Sequence, residues 1–142
     1  MDKRELFYKF VAFTASVHHV THELTKESKP DNITPVQYSI LESIKVSQPI
    51  TPSEISECQH MSMPNTSREL KKLSEKSLIE KIEDDKDRRK QYICLSKTGE
   101  MMMDEVFKCT ETRFLDRIQN LSNEDFEEIE HALGVLNKKI FY

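Results

Sequence analysis

Two four-residue stretches, Thr-Pro-Val-Gln at 34–37 and Thr-Pro-Ser-Glu at 51–54, limit most tightly how this chain can fold. In each, Thr stands where a helix N-cap needs a side-chain oxygen and Pro stands at the first helical position. Gln or Glu follows three residues after the cap. Proline has no N–H to lose there and its fixed φ is already helical, while cap and third residue can satisfy each other's backbone donors. The motif recurs 17 residues on, which leaves room for one short helix and a turn between the two starts. Ser-Asn-Glu-Asp at 122–125 is a weaker version, and Ser62 and Ser96 are further capping candidates.

Between these marks the apolar spacing is helical. Phe10, Phe13, Val17, Val20 and Leu24 form one stripe near the start, and Phe126, Ile129, Leu133, Leu136 and Ile140 form another near the end. Met103, Phe107, Thr110, Phe114, Ile118 and Leu121 form a third. Stripes of this width pack helix against helix. The middle is different: short helices over 34–46, 52–60 and 62–76, then two β-rich runs, 78–82 and 91–95, joined by a charged stretch. The order is a long helix, three short helices, a hairpin and two long helices. Only two glycines occur in 142 residues, so few turns need positive φ, which disfavours an all-β sandwich.

Two of the short helices, 52–60 and 62–76, lie close enough to form a helix-turn-helix. On the second, Thr66, Leu70, Leu73 and Ser77 share one face, while Asn65, Arg68, Lys72 and Glu75 share the opposite one with Lys71 beside them. Guanidinium and amide groups so placed can make bidentate hydrogen bonds to base edges, and lysines can reach phosphates. Polar outer faces are also common on merely solvated helices, so periodicity leaves both readings open. Charge distribution adds weight to the first. Residues 84–90 pack four positives and three acids into the hairpin tip, and 68–97 carry ten Lys/Arg against seven Asp/Glu. The remainder carries eleven against eighteen, so a chain of net charge −4 concentrates its positive charge beside the second short helix. Counterion release depends on charges near phosphates and not on the total, so an acidic body with one basic surface is compatible with DNA binding.

Composition excludes other classes. Hydrophobic content of 37% with 32% charged residues suits one soluble, helix-rich domain. No apolar run approaches a membrane span, and MDKRELFYKF lacks a signal-peptide pattern. Three cysteines, Cys58, Cys94 and Cys109, at no metal-like spacing fit a reducing cytoplasm better than a disulfide framework. They are read as small buried hydrophobes. There is no phosphate-cradling glycine loop, nucleophile elbow or HExxH motif, so the chain is read as no enzyme and no cofactor is assigned.

The run ITPVQYSIL (33–41), ISECQHMSMPNTSRELKKLSEKSLIEKIE (55–83) and DDKDRRKQYICLSKTGE (84–100) resembles the MarR family of bacterial winged-helix regulators, whose wing reads D-x-R-D-R-R before a strand and L-T-x-x-G. The resemblance implies a mainly α fold with a small β-hairpin wing. It implies one domain over 1–142, with a DNA-binding lobe at 31–99 between dimerisation helices at 1–30 and 100–142. It implies a cytoplasmic homodimer bound to a pseudo-palindromic operator in double-stranded DNA, acting as a repressor released by a small-molecule or other effector. Asn65, Ser67, Arg68, Lys71 and Lys72 would serve the major groove and nearby phosphates, and Arg88, Arg89 and Lys90 the wing. Asp87 would orient a wing arginine. Lys86, Ser96 and Thr66 depart from the family's usual residues. Ser77 stands where a glycine is common after the recognition helix, at a position expected to adopt left-handed backbone. The alternative is a winged-helix protein–protein module that has abandoned DNA, which the acidic total favours.

His18, His19, His22 and Glu23 lie together on the first helix, with His18 and His22 one turn apart. Imidazoles at that spacing can share a metal, and some relatives in the family sense zinc, but no fourth ligand is evident. No metal site is assigned, and His18 and His22 remain the pair to place.

Overall fold

Helices in the computed structural model, which describes all residues Met1–Tyr142, begin where the capping residues lie. The elements are α1 (Lys3–Thr25), α2 (Pro35–Ser47), α3 (Pro52–Gln59), α4 (Met63–Glu75), β1 (Ile79–Glu83), β2 (Gln91–Leu95), α5 (Lys97–Ile118) and α6 (Asn123–Lys139). Thr34 caps α2 with the full reciprocal box: its hydroxyl accepts from Gln37 N–H at 3.2 Å, and the Gln37 amide oxygen accepts from Thr34 N–H at 3.3 Å. At Thr51 only half of the expected box forms. The hydroxyl accepts from Glu54 N–H at 3.1 Å, but the Glu54 carboxylate accepts a hydrogen bond from the Thr51 hydroxyl at 3.0 Å instead of from the backbone. The weaker Ser122 motif forms a complete box as Thr34 does, with its hydroxyl accepting from Asp125 N–H at 3.1 Å and its N–H donating to the Asp125 carboxylate at 2.9 Å.

The chain divides into two compact units, Met1–Thr110 and Glu111–Tyr142, with α5 running from the first into the second. In the first unit α2, α3, α4 and the hairpin enclose one core. Ile40, Leu41 and Ile44 of α2, Ile55 of α3, Leu70 and Leu73 of α4, and Ile93 and Leu95 of β2 are buried there with Met103 of α5. The strands pair antiparallel from Ile79 opposite Leu95 to Glu83 opposite Gln91. A third short segment joins them: Ile50 exchanges backbone hydrogen bonds with Ile93 in both directions, at 3.1 and 2.7 Å. The hairpin is thereby fixed to the turn between α2 and α3. In contrast α1 and α6 contain no buried residue. No helix is long and apolar enough to cross a membrane.

The end of α4 is held by a double backbone lock. Ser77 has φ 59°, its N–H bonds Ser74 C=O at 2.9 Å, and Leu78 N–H bonds Leu73 C=O at 3.1 Å. These are the two bonds of a Schellman motif, and Leu73 and Leu78 share the core above it. The start of α5 docks on the same turn. Ser96 N–H donates to Leu78 C=O at 3.0 Å, its hydroxyl donates to Ser77 C=O at 2.6 Å, and that hydroxyl accepts from Gly99 N–H at 3.0 Å. A Cβ on Gly99 would lie 2.1 Å from the Leu78 carbonyl oxygen, so only glycine fits.

Charged groups tie α2 to α5 on the surface of this unit. Lys45 Nζ meets Glu100 and Asp104, each at 2.6 Å, and Gln48 donates to Glu100 at 2.5 Å while accepting from Leu95 N–H at 2.9 Å. Hydrogen bonds from Lys45 and Gln48 lower the Glu100 carboxyl, and those to Asp104 and Glu100 raise the Lys45 ammonium.

Substitutions at the lock should move stability in opposite directions. Ser77→Gly relieves an L-residue of left-handed backbone and should raise stability by a few tenths to about 1 kcal/mol. Gly99→Ala drives a methyl into a backbone oxygen and should cost roughly 1–3 kcal/mol or more. Denaturant melts of both variants check the pair, and equal signs would mean the lock is not rigid.

The Lys45 cluster should give a pH signature. A lowered carboxyl contributes stability above its ordinary value near 4.5, lost as pH falls through its folded value. A raised ammonium contributes below its ordinary value near 10.5, lost as pH rises through its folded value. Lys45→Met should therefore lower the melting temperature by about 1–4 °C between those limits. The gap to the native protein should narrow toward pH 3, and a pH-independent gap would contradict the assignment.

Candidate nucleic-acid interface

The outer face of α4 is set by what its inner face buries. Thr66, Leu70 and Leu73 are buried at helical spacing, which turns Asn65, Ser67, Arg68, Lys71 and Lys72 outward, all exposed. Ser62 starts the helix by accepting from Asn65 N–H at 3.2 Å, with Pro64 in the first turn. Thr66 is a polar residue at an apolar position. Its hydroxyl is satisfied by Ser62 C=O at 2.9 Å, so its burial leaves no unpaired group.

Two neighbours hold the helix in place. Gln37, 3% exposed on α2, donates to Glu69 at 3.2 Å and accepts from Lys76 at 3.0 Å. Lys76 also donates to Asn32 C=O at 2.6 Å, and Glu69 pairs with Lys72 at 3.4 Å. The same glutamine therefore caps α2 and fixes α4. On the outer face Arg68 Nη2 donates to Asn65 Oδ1 at 2.7 Å, and Arg68 Nε points to Pro64 C=O at 3.5 Å.

Arg88, Arg89 and Lys90 are exposed on the loop between β1 and β2. Asp87 organises that loop by accepting from Arg89 N–H at 3.0 Å, and its carboxylate also lies 3.5 Å from Arg89 Nε. Lys90 N–H donates to Asp87 C=O at 3.0 Å, and Asp84 N–H to Lys90 C=O at 3.1 Å, closing the tip. The Arg89 side chain is nonetheless 95% exposed and available to an outside partner.

The starts of α3 and α4 meet the hairpin loop at an open groove of about 360 Å³, walled by Thr51–Ser53, Met63, and Arg89, Lys90 and Gln91. Thr51, Ser53 and Met63 were not singled out from the sequence as site residues. Their capping pattern marked a helix start, but only the fold brings that start beside the wing. Positive side chains facing a helix N-terminus suit an anionic ligand, because the end of the helix carries partial positive charge.

Other expected residues lie elsewhere. His18 and His22 are exposed on α1, and no three His, Cys, Asp or Glu side chains gather where they could hold a metal ion. The cysteines depart from expectation: Cys58 and Cys109 are exposed and only Cys94 is half-buried. Each lies beside a buried stripe and not on it. Burial, with Glu80 and Glu100 nearby, pushes the Cys94 thiol up, away from the reactive thiolate.

Three short helices closed by a β-hairpin define a winged helix-turn-helix protein. Residues 31–90 match the MarR family model, and the whole chain has the fold of solved MarR-family proteins. A MarR family protein from Bacillus stearothermophilus is 19% identical, covers 100% of this chain and 99% of its own, and superposes with a TM-score of 0.75. S. aureus MepR bound to ethidium bromide is 20% identical, with 90% of this chain and 96% of its own covered and a TM-score of 0.64. A MepR variant bound to an oligodeoxyribonucleotide is 20% identical, with 94% and 97% covered and a TM-score of 0.59. No curated protein matches the sequence.

Proposed function

We propose that this chain is a sequence-specific DNA-binding transcriptional regulator, a repressor that a small-molecule effector releases. The observation that carries the reading is the row of exposed donors on α4 beside the exposed arginines of the wing, on a chain that is acidic elsewhere. Asn65, Ser67, Arg68, Lys71 and Lys72 serve the major groove and its phosphates. Arg88, Arg89 and Lys90 serve the minor groove or backbone, where shape and negative potential are read more than base identity. MepR structures with an oligodeoxyribonucleotide and with ethidium bromide support both halves of the reading by likeness of fold. The reading assigns the chain no catalysis and places it in the cytoplasm.

In this reading the chain is a homodimer, with 1–30 and 100–142 joining two lobes of residues 31–99. Support comes from apolar surface that one copy leaves uncovered. Leu6, Phe7, Val11, Phe13 and Val17 of α1 are exposed, and Phe114, Ile118, Phe126, Ile129 and Leu133 line an apolar groove of about 230 Å³ in the second unit. Patches of this kind mark association surfaces. Two heads held at fixed separation would meet half-sites on a pseudo-palindromic operator, and an effector would act by changing that separation. Light scattering at micromolar concentration should give twice the chain mass, and a stable monomer would overturn the assembly.

The two basic surfaces should respond differently to substitution. Arg68→Ala should cost roughly 1–3 kcal/mol on the selected operator and much less on scrambled duplex. Arg88→Ala should weaken both duplexes by similar factors and reduce the salt slope by about one unit if a phosphate contact is lost. The acidic total favours one competing reading, a winged-helix module that binds protein. If both variants keep native DNA affinity at moderate salt, that module replaces the regulator.

A further inference from the structure

We infer that Asn65 acts as the positioning residue of Arg68, so that the two side chains read one base pair as a unit in place of two independent contacts. The inference rests on the DNA-binding reading above and names how specificity arises within it. Asn65 and Arg68 are three residues apart on α4, the spacing at which helix side chains meet. The Arg68 Nη2–Asn65 Oδ1 bond of 2.7 Å is the shorter of the two that hold the guanidinium; Nε reaches Pro64 C=O at 3.5 Å. Both bonds use the side edge of the planar fork, formed by Nε and one hydrogen of Nη2. The end edge, formed by Nη1 and the other hydrogen of Nη2, takes no part in these two bonds. That edge has the two parallel donors that match guanine O6 and N7.

The arrangement has a cost and a benefit for recognition. A solvated arginine side chain must lose much of its rotamer freedom before it can make a bidentate contact, and one already held in place loses less on binding. Asn65 is meanwhile a poorer independent reader. Reading adenine needs its carbonyl oxygen and amide presented together to N6 and N7, and that oxygen is already engaged by Arg68. Ser67 does not share in the couple, since it lies about 100° around the helix from Arg68.

A double-mutant cycle tests the couple, using 30-base-pair duplexes that the native protein selects from a random library, single-base-pair variants of them, and a scrambled duplex. Both side chains are exposed, so neither truncation opens the core; circular dichroism melts confirm folding. Asn65→Ala should lower affinity for the selected duplex by about 5-fold or more, at the same G·C pair where Arg68→Ala relaxes preference. In the Arg68→Ala background the same change should alter affinity by less than about 2-fold. Asn65→Asp keeps an acceptor for the fork while adding repulsion toward phosphates. It should weaken selected and scrambled duplexes alike and leave the preference for G·C near native. Multiplicative effects of the two truncations, or loss of preference at different base pairs, overturn the couple while leaving DNA binding in place. A native protein that selects no duplex overturns both readings together.

Discussion

The turn at Ser77–Leu78 is the joint on which three parts of this protein depend. Helix α4 ends there, strand β1 begins there, and α5 docks there through Ser96 and Gly99. Its backbone groups are paired on both sides: Ser77 and Leu78 donate back into α4, and their carbonyls accept from Ser96. A polar turn can lie this close to a core only when its groups are satisfied, and here each pairing also fixes an angle between elements. Ser77 holds left-handed backbone without being glycine, a strain that the surrounding bonds sustain. The position of the reading helix relative to the wing thus follows from one local geometry.

A second set of ties surrounds that joint. Gln37 is spent twice, once as the third residue of its own helix cap and once as the buried anchor for Glu69 and Lys76. Gln48 likewise spans from the end of α2 to β2 and α5. Amides suit these positions because each carries both donor and acceptor and can bridge two elements without burying a net charge. Ile50 completes the frame by pairing with Ile93, an isolated bridge that ties the α2–α3 turn to the two-stranded hairpin. These ties hold the helix-turn-helix and wing together within one unit, while α1 and α6 contain no fully buried residue.

Local chemistry was legible and long-range pairing was not. Thr34, Ser62 and Ser122 could be read as caps because a cap depends on residues three positions away. The inward leucines of α4 followed from helical period, and its outward donors followed from the leucines. Ser77 came from family resemblance alone, since nothing in its neighbours demands positive φ. The contact of Gly99 with Leu78 and the bridge from Ile50 to Ile93 join residues far apart in the chain, beyond any periodic pattern. Cys58 and Cys109 were misjudged because cysteine's general preference for burial carries no information about which helical face it occupies. The pairing of Asn65 with Arg68 was available in the spacing, but its direction required coordinates.

The uneven charge of the chain makes the molecule an electric dipole as well as a weak net anion. Near a uniformly negative surface its total of −4 repels, while the local field of residues 68–97 attracts. The repulsion acts at long range and the attraction at short range, so salt screens the first sooner than the second. In the proposed DNA-binding reading, a rod of negative charge would exert a torque on the molecule before it exerts a pull. Approach with the acidic body foremost would then be disfavoured, which would filter encounters by orientation. In that reading added salt would relax the filter as it weakens the grip, so ionic strength would act separately on arrival and on residence.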